Sequence, residues 1–93
     1  MNYKKFYLDL IQRFLNHEIS RGEIANLVAN EVPIDCNYEE NAELLRNCEW
    51  ALRHMDDDTF FTIDDEISYY LRCLKGDEIF SKLGRDAAMQ QNS

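Results

Sequence analysis

Four stretches of this 93-residue chain repeat apolar residues at three- and four-residue intervals, and no run alternates cleanly with a period of two. That regularity confines the chain to helices packed on helices, because a half-buried strand needs period two and a helix laid on a core needs about 3.6. The first stripe is Phe6, Tyr7, Leu10, Ile11, Phe14 and Leu15, which predicts a helix over Tyr3–Asn16. The second runs through Ile24, Ala25, Leu27 and Val28. The third is Leu44, Leu45, Cys48, Leu52 and Met55, and the fourth is Ile63, Ile67, Tyr70, Leu71 and Leu74.

Capping signals divide these stripes. Ser20 followed three residues later by Glu23 is a capping box, and Ile19 and Ile24 form a hydrophobic staple across it. The second helix is expected to end near Glu31, since Pro33 drives Val32 out of the helical region. Asn37 with Glu40 marks the start of the third helix and Thr62 with Asp65 that of the fourth, while Gly76 suits the position after its last turn. His17 lies in the hinge between the first two helices. Phe60 and Phe61 stand between the third and fourth, one ring being expected in the core. The predicted fold is all-α: a compact antiparallel four-helix bundle, with one further short turn from Asp77 through Leu83 closed at Gly84. A single domain spans residues 1–84. Residues 85–93 carry almost no apolar anchor and are expected to form a flexible tail.

The net charge of −8 arises from one third of the chain: residues 37–66 hold ten acidic and two basic side chains, while the flanking segments are near balance. Such a field disfavours nucleic acid and favours a basic protein partner. Cys36, Cys48 and Cys73 show neither CxxC spacing nor a disulfide framework, so a reducing, cytoplasmic setting is expected, with Cys48 and Cys73 in the core. No signal peptide and no bilayer-length apolar run is apparent. A monomer is the expected state.

Catalytic chemistry finds no constellation here. His17 and His54 are the only histidines, and Cys48 and Cys73, the candidate nucleophiles, lie on apolar helix faces. A calcium loop beginning at Asp56 would need an oxygen ligand and a glycine where Phe60 and Phe61 stand. No Glu-x-x-His pair or glycine-rich phosphate loop occurs. The expectation is a protein that is not an enzyme, with no catalytic residue, cofactor or metal.

What remains is binding. Asp56, Asp57 and Asp58 precede the fourth helix, and Asp64, Asp65 and Glu66 fill its opening turn. These six carboxylates are the expected partner-binding residues, together with Tyr69, which lies beside the buried stripe and is expected at the surface. Tyr38, Trp50 and Tyr70 are further candidate aromatic anchors. A solvated face that merely confers solubility is the plainer reading of the acids.

Two segments resemble the colicin D-type, or self-protective colicin-like, bacterial immunity proteins and their relatives that guard against contact-dependent growth-inhibition toxins. One is Leu10–Ile24, a helix ending in Phe-Leu, a short turn and an Ile-Ser helix start. The other is Phe61-Thr62-Ile63-Asp64-Asp65-Glu66 leading into an apolar helix. The resemblance covers about residues 5–75, and residues 77–93 extend past the family's usual end. It implies an antitoxin that occludes a transfer-RNA-cleaving nuclease domain, with Asp64, Asp65 and Glu66 imitating a phosphate backbone. An acidic adaptor or regulator of some other basic protein is the competing class.

Overall fold

A computed structural model describes residues 1–90 and shows five helices: α1 (Tyr3–Leu15), α2 (Arg21–Glu31), α3 (Ala42–Arg53), α4 (Asp64–Lys75) and α5 (Lys82–Gln90). The fold is all-α, with no strand among the described residues. Helix α1 touches α2, α3 and α4; α2 packs chiefly on α3, and α5 packs on α4. The radius of gyration, 12.3 Å, matches the ~12 Å that a domain of this length should have. No described helix is long and apolar enough to cross a membrane.

The stripes read from the sequence make the core. Tyr7, Leu10 and Ile11 of α1 meet Ile24 and Val28 of α2, Leu45, Cys48, Leu52 and Met55 from α3 and its end, and Ile67, Tyr70 and Leu74 of α4. All three cysteines are free and buried. Leu71 is only half-buried, since its place on α4 falls beside the stripe.

The ends of the helices depend on local chemistry. Ser20 and Glu23 form the expected reciprocal box at the start of α2, where the Glu23 amide donates to Ser20 Oγ at 3.2 Å. Helix α4 ends in a Schellman motif: the Gly76 amide donates to the Cys73 carbonyl and the Asp77 amide to that of Arg72, with Gly76 at φ +84°. The same motif closes α1, His17 donating to Phe14 and Glu18 to Arg13, but the left-handed position is held by His17 at φ +62°.

Three sequence expectations fail here. Helix α3 starts at Ala42 and not after Asn37, and Asn41 before it has a left-handed backbone and no side-chain cap. The segment 37–41 is withheld from the helix because Tyr38 turns inward, where its hydroxyl meets that of Tyr7 and donates to Glu49 Oε1 at 2.6 Å. Thr62 does not cap α4, because its hydroxyl donates instead to the Ala51 carbonyl at 2.6 Å. Nor does the chain close at Gly84. Helix α5 runs through it to Gln90, with Ala88 buried, Arg85 reaching Asn47 of α3 at 3.0 Å, and Ile79 and Leu83 left exposed. The last three residues of the expected tail, 91–93, lie outside the described residues.

Candidate protein-binding surface

The connection between α3 and α4 is folded back on the end of α3. The His54 carbonyl accepts from the amides of Asp57 and Thr62, both at 3.3 Å. Asp57 closes the turn, its Oδ1 accepting from the amides of Thr59 at 2.7 Å and Phe60 at 2.9 Å. Those two amides hold its carboxyl below the usual range.

Arg21, from the first turn of α2, latches the other end. Its Nη1 donates to the carbonyls of Met55 at 3.0 Å and Thr62 at 2.6 Å, and its Nη2 pairs with Asp64. The guanidinium lies 4.3 Å from the Phe61 ring centroid and 5.2 Å from that of Phe14. Neither Phe60 nor Phe61 enters the core: Phe61 covers the outer face of Arg21, and Phe60 turns to α3.

There Phe60 meets an aromatic pair. Trp50 and His54 share one face of α3, four residues apart, with ring centroids 4.1 Å apart and an interplanar angle of 34°. Phe60 packs 6.3 Å from the indole and edge-on to the imidazole at 5.8 Å. His54 Nδ1 lies 2.7 Å from the Trp50 carbonyl oxygen, which fixes the ring. Trp50 and Phe60 keep 59% and 60% of their surface exposed. Beside the indole is Ile34, 91% exposed, in a turn closed by the Cys36 amide donating to the Pro33 carbonyl. An open groove of about 440 Å³ runs between Ile34 and this face of α3.

The residues singled out in the sequence divide between this surface and the interior. Asp56 and Asp58 are exposed on the latched turn, Asp57 is half-buried within it, and Asp64 is exposed at its far end. Asp65 is half-exposed. Glu66 turns inward and is buried. Burial raises its carboxyl above the usual range, against the lowering influence of Tyr70 and Arg85 beside it. The Tyr70 hydroxyl sits near both without hydrogen-bond geometry to either. Tyr69, expected at the surface, is fully buried: its hydroxyl donates to the Ser81 carbonyl at 3.1 Å and accepts from the Ser81 amide at 3.0 Å, joining α4 to the start of α5. Tyr38 and Tyr70 are also buried, so of the four proposed aromatic anchors Trp50 alone is exposed.

Sequence reasoning missed Ile34, His54 and Phe60 as surface partners of Trp50. The four-residue spacing of Trp50 and His54 was a usable signal for one shared face, but nothing in the sequence brings Phe60 or Ile34 to it. No protein-family model matches the chain, and no curated protein or solved structure matches it.

Proposed function

We propose that this protein is a non-enzymatic inhibitor of a basic protein, an immunity protein that occludes a nuclease toxin, and that it binds through the turn between α3 and α4 and the adjoining Trp50. The observation that carries this reading is the stack of Trp50, His54 and Phe60, held at the surface directly before and within a turn bearing exposed Asp56 and Asp58. Large rings fixed in place lose little entropy on docking, and they are the side chains that dominate binding hot spots. Carboxylates around such a centre steer a cationic partner and accept charge-assisted hydrogen bonds from arginine. A ribonuclease groove rich in lysine and arginine offers that complement.

The Arg21 latch supports the reading, because a preorganised turn avoids part of the ordering penalty of association. The resemblance of Leu10–Ile24 and Phe61–Glu66 to colicin D-type immunity proteins points the same way. The acids that bind are drawn from Asp56, Asp58 and Asp64, which stand at the surface, and not from the buried Glu66.

The test is co-expression with the C-terminal domain of a toxin encoded beside this gene. Growth should be rescued, Trp50→Ala should weaken binding by at least ~2 kcal/mol, and D56N/D58N should slow association and flatten its salt dependence. Absence of rescue, with tight binding to some other basic protein, would move the chain to the adaptor class.

A further inference from the structure

The face just described is not uniformly acidic. Arg46, Glu49, Trp50, Arg53 and His54 follow one another along a single side of α3 and, with Ile34, line the groove. Its one carboxylate is already engaged: Glu49 accepts from Tyr38 at 2.6 Å and from Arg53 Nε at 2.8 Å. Arg53 is engaged as well, its Nη2 donating to the Val32 carbonyl at 2.9 Å. Arg46 is different. It is exposed, its guanidinium stands 5.9 Å from the Tyr38 ring centroid, and it enters no ion pair among the described residues. The groove therefore has two apolar walls, Ile34 and the indole, and at its rim a cation with no ion-pair partner among the described residues. The aspartate turn begins just after His54, about 12 Å further along the helix axis.

Resting on the reading that this face binds a protein, we propose that the groove receives a large apolar side chain of the partner, and that a partner carboxylate next to it meets Arg46. Covering Ile34 and Trp50 is most favourable with an apolar group, which brings no polar atoms to desolvate. A partner cation placed there would face Arg46 with Glu49 already neutralised, a like-charge juxtaposition that discriminates against it. The site thus selects a partner patterned acid, apolar anchor, base along the direction of α3, the basic end lying on Asp56–Asp58.

Titration of the isotopically labelled protein with short capped peptides tests this, read at the indole N–H signal of Trp50, the only tryptophan. The probes are Ac-Gly-Phe-Glu-Gly-NH2, Ac-Gly-Phe-Lys-Gly-NH2 and Ac-Gly-Ser-Glu-Gly-NH2. The Phe-Glu peptide should bind in the millimolar range, about threefold tighter than Phe-Lys, as one exposed ion pair allows. Arg46→Glu should reverse that order, and the Ser-Glu peptide should leave the indole signal unmoved. Equal binding of Phe-Glu and Phe-Lys, or no indole shift with any peptide, overturns the proposal. A fourth probe, Ac-Lys-Lys-Gly-Lys-Lys-NH2, reads the aspartate turn separately. Shifts of the Asp56–Asp58 amides with this probe, together with no indole shift from either Phe peptide, would keep the basic-partner reading while removing the groove; indole shifts from Phe-Glu with no response of those amides to the lysine peptide would keep the groove while removing that reading.

Discussion

Arg21 reaches from the start of α2 to two carbonyls and a carboxylate on the α3–α4 connection, so one side chain ties a long-range turn that has little apolar anchoring of its own. Arg21→Ala should lower stability by about 2 kcal/mol, the scale for hydrogen bonds to a charged donor whose acceptors stay partly buried. Urea denaturation checks the loss, and faster amide exchange at Thr62 would locate it. Loss of stability without faster exchange there would mean that the turn holds itself. His17 presents the opposite case. It occupies the left-handed position of a Schellman motif, where a β-carbon is penalised and glycine is favoured. His17→Gly should raise stability by ~0.5–1 kcal/mol in the same assay, the backbone entropy of glycine offsetting part of the gain. A decrease would show that the imidazole contributes contacts beyond the backbone geometry.

At the scale of the elements, Gly84 sets how closely α5 approaches α4. A β-carbon there would stand 2.8 Å from Tyr69 Oη, and that hydroxyl cannot swing aside without giving up both hydrogen bonds to Ser81. Gly84→Ala gains up to ~1 kcal/mol of helix propensity yet should loosen α5, measured as faster hydrogen exchange over residues 82–90. Slower exchange would mean that propensity outweighs the clash. The same helix shows where the sequence was legible. Stripes and the Ser20 box are local signals, and α1 and α2 lie within a residue of where those signals place them. The starts of α3 and α4 differ from expectation because Asn37 and Thr62 are good caps by type, while tertiary partners take the chain elsewhere. Tyr38 was drawn into the core beside Asn37, and the Thr62 hydroxyl went to Ala51. Helix α5 runs past its expected end because Gly84 looks like a terminator unless the ring it must clear is known. The surface was half legible: the acidic turn and Trp50 could be read, but Phe60, Ile34 and the inward faces of Glu66 and Tyr69 depend on how helices meet.

Across the whole molecule, the buried acid on α4 couples stability to pH. The ordinary carboxyl value for Glu66 is 4.5, and burial raises it in the folded state. Between these two values the folded chain holds more proton at this site than the unfolded chain, so stability falls as pH rises through that window. Glu66→Gln should therefore raise the melting temperature at pH 7, and the gain should shrink towards zero as pH approaches 4.5. A lower melting temperature at pH 7 would show that the attraction of Arg85 outweighs burial. The surface has its own optical consequence. One indole, half in solvent and stacked on an imidazole 4.1 Å away, supplies all of the tryptophan emission of this protein. Its fluorescence should be red-shifted like that of a wetted indole and should move to shorter wavelength when a partner excludes water from the ring. An unlabelled sample therefore carries a built-in reporter at the place where contact is proposed, and a stopped-flow trace of that emission would time the docking step directly.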